Sequence, residues 1–155
     1  MNRILLLIGV VLVVGCGPEP RDMDTLQEFD GVFKNVVDGH LQPYSGPVFR
    51  MTGDVRTLTG SLKDGEFDGP YEYYHDNGQL SRKGTSKDGV PDGLFEEYHE
   101  NGQLSQKGTF KDGKLDGPAE GYHENGQLIS KGTIKDNEKC GEWLEDGETV
   151  TYRPC

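Results

Sequence analysis

Strand-forming stretches and turn signals recur with a period of 24 residues along most of the chain. The period is marked by Gly69, Gly93, Gly117 and Gly141. Each full unit holds two short strand candidates, and Asn-Gly or Asp-Gly pairs lie between them. Both members of such pairs tolerate positive φ, as tight hairpin turns require. The pattern therefore predicts a meander of antiparallel β-hairpins.

The predicted units begin near residues 46, 69, 93, 117 and 141, the first being degenerate and the last truncated. Upstream, residues 31–37 and 40–44 flank Asp38-Gly39 and predict an opening hairpin. Type I′ turns are predicted at Asn77-Gly78, Asn101-Gly102 and Asn125-Gly126. Second two-residue turns are predicted at Asp88-Gly89, Asp112-Gly113 and Asp136-Asn137.

These turns define two faces, because paired residues of an antiparallel hairpin share a side. One face is apolar and sets Tyr71, Phe95 and Ala119 opposite Gly84, Gly108 and Gly132, with Trp143 at the matching place in the last unit. The same rule adds Leu80, Leu104, Leu128, Phe67, Pro91, Phe110, Leu115 and Ile134 to this face. The other face sets Glu72, Glu96 and Glu120 opposite Lys83, Lys107 and Lys131, beside Tyr74, Tyr98 and Tyr122. An aromatic ring lying over each glycine would cover the gap that the missing side chain leaves.

The motifs Gly-x-aromatic, Tyr-His-x-Asn-Gly-Gln-Leu, Lys-Gly and Lys-Asp-Gly closely resemble the variant MORN repeat, the repeat of the YwqK family of antitoxins. The resemblance spans about residues 31–155. It implies an all-β fold, an elongated, single-layer antiparallel meander of β-hairpin repeats. It also implies no enzyme activity.

The first residues resemble a bacterial lipoprotein signal. Arg3 precedes the apolar run Ile4 to Val14, which is too short to span a bilayer. The run ends in Val13-Val14-Gly15-Cys16, similar to a lipobox, which implies cleavage before Cys16 and lipidation of its thiol. The predicted segments are a signal peptide at 1–15, a lipidated tether at 16–30 and a repeat domain at 31–155. An ordinary signal peptide or a short membrane anchor is the alternative.

The amino-acid composition and net charge argue against some fold and function classes. Of the 155 residues 32% are hydrophobic and 23 are glycine, which argues against a thick two-layer core. The formal net charge is −11. An acidic surface repels phosphates, so we expect no nucleic-acid partner.

Candidate chemistry is sparse. His75, His99 and His123 recur about 9.6 Å apart at two strands per unit, so the three cannot converge on one metal. A metal held by two neighbouring histidines together with Glu97 is the alternative. The Asp/Gly-rich turns lack the ligand pattern of a calcium loop. We therefore expect no metal, no cofactor and no catalytic residues.

The remaining cysteines, Cys140 and Cys155, flank the last unit of an exported chain. That context predicts a disulfide between them, and two free thiols are the alternative.

The three tyrosines Tyr74, Tyr98 and Tyr122 lie on an otherwise polar face, where an amphipathic ring suits recognition. They are candidate partner-binding residues; alternatively, each packs on its own Glu–Lys pair. Together the patterns predict a non-catalytic binding or scaffold module at the cell envelope. Its lipid anchor would hold it to the membrane, at the outer membrane where the source has one, and its partner would be an envelope protein or glycan. Rival hypotheses are an antitoxin that neutralises a toxin in the same compartment, and an envelope hydrolase or a metal-dependent enzyme that uses the histidines.

Overall fold

Turn residues divide the chain into short strands joined by tight loops. The computed structural model describes residues 18–155, so the predicted signal peptide and Cys16 lie outside the described residues. The elements are β1 (Arg21–Asp22), a 3₁₀ helix (Met23–Thr25), β2 (Gln27–Phe29), β3 (Val32–Val37), β4 (His40–Pro43), β5 (Gly46–Thr52), β6 (Val55–Lys63), β7 (Glu66–Phe67), β8 (Gly69–Tyr74), β9 (Leu80–Lys87), β10 (Val90–Pro91), β11 (Gly93–Tyr98), β12 (Leu104–Lys111), β13 (Lys114–Leu115), β14 (Gly117–Tyr122), β15 (Leu128–Lys135), β16 (Glu138–Glu145) and β17 (Glu148–Thr151). Among these residues no helix is long and apolar enough to cross a membrane.

The strands form one long open sheet and one small sheet. Fourteen strands follow the order β1-β5-β6-β8-β9-β11-β12-β14-β15-β16-β17, with β7, β10 and β13 folded back on β6, β9 and β12. All pairs in this sheet are antiparallel except β1 with β5. The small sheet has the order β2-β3-β4. The long meander of hairpins confirms the predicted fold class.

The two kinds of turn differ in geometry. Asp88 and Gly89 both have positive φ, 47° and 77°, which agrees with the predicted two-residue turn. Asn77 does not have positive φ, so the predicted type I′ turn at Asn77-Gly78 is wrong. Instead the amide of His75 donates to Gln79 O at 2.8 Å, which closes a three-residue loop with only Gly78 in the left-handed region. The same bonds recur at residues 99–103 and 123–127.

A register shift absorbs the extra loop residue. Tyr71 pairs with Gly84 and Glu72 with Lys83, as predicted, but Tyr74 pairs with Leu80 across an irregularity. A two-residue Asn-Gly turn would set Leu80 opposite His75 on the apolar face. The observed register sets Leu80 opposite Tyr74 instead, so its predicted place on the apolar face is wrong. The later repeats shift in the same way, pairing Tyr98 with Leu104 and Tyr122 with Leu128.

Aromatic rings cover the strand glycines on the apolar face. An ideal Cβ on Gly84 would lie 2.6 Å from Tyr71 Oη, and one on Gly108 would lie 2.7 Å from Phe95 Cε1. Ala119 is too small to fill this role at Gly132, and there Trp143 lies against the glycine instead. The predicted pairing of rings with glycines is thus confirmed.

The amino-terminal end has its own core. Its buried side chains come from the 3₁₀ helix, the loop after it, the connection between β4 and β5, and strands β5 and β6 of the long sheet: Met23, Leu26, Tyr44, Val48, Leu58 and Leu62. Phe33 of the small sheet packs edge-on against Phe67, with ring centroids 6.3 Å apart. The folded domain therefore begins at Arg21, about ten residues before the predicted boundary at 31. Here two sheets pack together, whereas the repeats form a single layer.

The carboxyl-terminal end is closed covalently. Cys140 and Cys155 are joined by a disulfide, with Cα atoms 5.0 Å apart. Gly141 exchanges two backbone hydrogen bonds of 2.8 Å with Tyr152 and Arg153, which holds the last residues against β16.

Candidate binding face

The predicted tyrosine, glutamate and lysine residues come together on one face of the long sheet. We call this surface the tyrosine face; it consists of Glu72, Glu96, Glu120, Tyr74, Tyr98, Tyr122, Lys83, Lys107 and Lys131. Strand alternation places the set there, since the tyrosine is two residues after the glutamate and the lysine is the glutamate's cross-strand partner. Each repeat therefore presents the same three side chains.

Ion pairs on the tyrosine face run mainly between neighbouring hairpins. Lys83 Nζ lies 2.7 Å from Glu96 Oε2, and Lys107 Nζ lies 2.7 Å from Glu120 Oε2. Only Lys131, at 3.0 Å from Glu120 Oε1, makes the predicted pair within a hairpin. Lys83 is in register with glutamates on both sides, Glu72 and Glu96, and pairs with the second. The pairs thereby tie consecutive repeats together.

The tyrosine hydroxyls belong to this network. Tyr74, Tyr98 and Tyr122 each donate a hydrogen bond to the glutamate two residues earlier. Lys83 Nζ also lies 5.8 Å from the centre of the Tyr98 ring. The tyrosines are half-buried, so their rings line the surface while their hydroxyls are engaged.

Electrostatics follow from these contacts. Hydrogen bonds from Lys107, Tyr122 and Lys131 lower the pKa of Glu120 to about 2. Lys83 and Tyr98 likewise lower the pKa of Glu96. The hydrogen bond to Glu120 raises the pKa of the Tyr122 phenol. At neutral pH Glu96 and Glu120 are therefore charged carboxylates that accept hydrogen bonds from the neutral phenols of Tyr98 and Tyr122.

Leu94 is a feature of this face that sequence reasoning missed. It pairs with Thr109 and is two residues from Glu96, so alternation places it on the tyrosine face. Its side chain is 72% exposed, more than any other large hydrophobic residue among those described. Pro70 and Pro118 occupy the same position in the flanking repeats and are also exposed. The pairing rule used above could have found this row.

The histidines join repeats along one edge of the sheet. His75 Nε2 lies 2.9 Å from Tyr98 O, and His99 Nε2 lies 3.0 Å from Tyr122 O. Asn77 Nδ2 donates to Glu100 O at 2.9 Å in the same way. The histidines and asparagines of the first two full repeats, His75, Asn77, His99 and Asn101, thus bond the backbone of the next repeat. Within residues 18–155, no group of three His, Cys, Asp or Glu side chains is placed to hold a metal.

Comparison with known families agrees with this geometry. The MORN repeat variant matches three consecutive segments, residues 67–88, 91–112 and 115–136. Among curated proteins, no relative matches the chain. The chain therefore contains three consecutive MORN-type repeats, and repeats of this kind suggest a binding or scaffold module.

Proposed function

We propose that this protein is a lipid-anchored, non-catalytic binding module that presents its tyrosine face to an envelope protein or glycan. The observation that carries the proposal is the repetition of one side-chain set on one continuous sheet. Three copies of a Glu–Tyr–Lys group, with Leu94 exposed among them, offer a partner several equivalent contacts. Linked weak contacts raise affinity without any new kind of interaction.

The same repetition supports a non-catalytic role. An active site needs one asymmetric constellation of groups, whereas here the same residue types recur in each repeat. The ring nitrogens Nε2 of His75 and His99 are engaged with backbone carbonyls. The recurrence of these histidines is therefore explained by a structural role, since each one bonds the backbone of the next repeat.

The anchoring part of the proposal rests on the sequence around Cys16. An apolar run followed by Val-Val-Gly-Cys supports lipidation at that thiol. Substituting Cys16→Ala should then abolish incorporation of labelled palmitate. Label that persists in the variant would contradict the anchoring.

Photo-crosslinking in intact cells tests the binding face. A photoreactive amino acid at Leu94 should yield an adduct with the partner, identified by mass spectrometry. The matched control is Tyr73, which is 39% exposed and lies on the opposite face because it is paired with Arg82 and adjacent to Glu72. Equal adducts at both positions would contradict the face assignment, and no adduct at either would contradict the binding role. An exported toxin as the captured partner would support the antitoxin hypothesis.

A further inference from the structure

The small amino-terminal sheet exposes an apolar face. Register and alternation place Gln27, Phe29, Val32, Lys34, Val36, Leu41 and Pro43 on one side of strands β2–β4. Val32 lies against Gly65 in the turn between β6 and β7. The open part of this side is therefore formed by Phe29, Lys34, Val36, Leu41 and Pro43. Phe29, Val36 and Leu41 are 46%, 58% and 44% exposed. The opposite side carries Phe33, which packs on Phe67, and Val37, which is 38% exposed. The larger exposed apolar side chains thus lie on the side of Phe29, Val36 and Leu41.

The charge of this face differs from that of the rest of the molecule. Its only ionisable side chain is Lys34, whose Nζ lies 5.3 Å from the centre of the Phe29 ring. The neighbouring carboxylates are not part of this face. Glu28 pairs with Phe33 and so lies on the opposite side, and Asp30 and Asp38 lie in turns. In a chain with a net charge of −11, this face is apolar and weakly basic. Such a surface matches the boundary between anionic headgroups and acyl chains.

The small sheet also lies close to the proposed lipid attachment site. Tyr44, which directly follows β4, donates its hydroxyl to Glu19 O at 3.4 Å. Cys16 precedes Glu19 by three residues, which span at most about 11 Å. The Glu19 Cα can therefore be no more than about 11 Å from that of Cys16, the proposed lipidation site. A tether this short would keep the small sheet near the membrane.

We propose that the face formed by Phe29, Lys34, Val36, Leu41 and Pro43 rests in the membrane interface, as a second membrane contact beside the lipid on Cys16. This inference rests on the proposed anchoring. The side chains would enter the boundary between headgroups and acyl chains, where amphipathic elements are buried by about 5–10 Å. Lys34 would reach the headgroups through its flexible stem. The repeats would then project from the membrane at the small sheet.

Depth-dependent quenching of a fluorescent probe tests this contact. The full chain, processed in cells and reconstituted in vesicles of phosphatidylethanolamine and phosphatidylglycerol, carries Leu41→Cys labelled with an environment-sensitive dye. The matched control is Leu128→Cys, since Leu128 is 38% exposed and lies in β15, seven strands beyond β5 in the sheet order. We expect lipid-borne quenchers to quench the dye at residue 41 several-fold more than at residue 128. Equal quenching at the two positions, or none at residue 41, overturns the inference.

The unsubstituted protein separates failure of this inference from failure of the anchoring. With lipid on the Cys16 thiol and a disulfide between Cys140 and Cys155, it should take up no dye and should float with the vesicles. Dye uptake at Cys16 and failure to float would contradict the anchoring. Normal flotation with an unquenched dye at residue 41 would contradict only the second contact. A dye at residue 41 that is shielded from water, insensitive to lipid quenchers and accompanied by a crosslinked dimer would assign the face to a second copy of the chain and overturn the inference.

Discussion

Gly132 has the least room for a side chain among the strand glycines of the repeats. An ideal Cβ there would overlap the indole of Trp143, which is buried and held by a 2.9 Å hydrogen bond from Nε1 to Thr133 O. An added methyl group would therefore have to displace the buried ring or the strand.

We predict that Gly132→Ala lowers the free energy of unfolding by about 1–3 kcal/mol, the usual cost of overpacking. Gly121→Ala is the matched control, because Gly121 lies in the adjacent strand and its added Cβ would meet only Ser130 Oγ at 3.0 Å. The control should be close to neutral. Urea denaturation measures both variants, and an equal effect in the two would contradict the role of Trp143.

Glu120 is the carboxylate most strongly stabilised in its charged form. Its folded-state pKa of about 2 lies below the ordinary glutamate value of 4.5. A depressed pKa contributes stability above the unfolded value, and this contribution is lost as the pH falls from about 4.5 to about 2. We predict that Glu120→Gln lowers the melting temperature at pH 6 and has a smaller effect at pH 2. Glu72→Gln is the control, because Glu72 has no ion pair among residues 18–155. An E120Q effect that did not change with pH would contradict the ion-pair explanation.

Connections between hairpins depend on the histidine and asparagine bonds at one edge of the sheet. His99 bonds Tyr122 O at 3.0 Å, and Tyr122 is 23 positions further along the chain. The residue at the same distance from His123 is Asp146 and not a tyrosine, because the last unit is truncated and diverges in sequence. We predict that His99→Ala lowers the free energy of unfolding by about 0.5–1.5 kcal/mol, the net value of one hydrogen bond. His123→Ala should change it less. Equal losses in urea denaturation would show that the histidines act through packing alone.

Strand register could be predicted from the repeat, but turn geometry and ion-pair partners could not. The pairing of Tyr71 with Gly84 survives because the shift beside Tyr74 absorbs the longer loop. Asn77 avoids positive φ in a loop where its side chain accepts the amide of Gln79 at 2.9 Å, a local bond that the Asn-Gly rule does not consider. Alternation also sets Lys83 beside two glutamates without deciding between them. The face was therefore predictable, whereas its links between repeats were not.

The two ends of the molecule protect the sheet in different ways. At the amino terminus Met23 and Leu26 help to fill a core between two sheets. That core was not predictable, because residues 21–30 contain no repeat and too few apolar residues to set a period. At the carboxyl terminus the last unit packs on Gly132 through Trp143, and a disulfide closes it.

We predict that the Cys140–Cys155 disulfide stabilises the folded protein by up to about 3 kcal/mol, as loop-closure entropy implies for a closed loop of this length. Alkylation of the exported protein under denaturing, non-reducing conditions should label neither cysteine. Cys140→Ser with Cys155→Ser should lower the melting temperature. Complete labelling of both thiols would show that packing around Trp143 alone holds the last unit.

The three tyrosines contribute both to the stability of the sheet and, as proposed, to partner binding, and two triple variants separate these roles. Replacing Tyr74, Tyr98 and Tyr122 by phenylalanine removes the three hydroxyl–carboxylate bonds but keeps the rings. We expect this triple variant to melt at a lower temperature and to keep its partner in the crosslinking experiment.

Replacing all three by serine removes the ring surface as well, and we expect partner capture to be lost while circular dichroism still reports the β-sheet. A folded serine variant that keeps its partner would show that the tyrosines only brace the ladder of glutamates and lysines. Loss of capture in both folded variants would instead assign recognition to the hydroxyl groups.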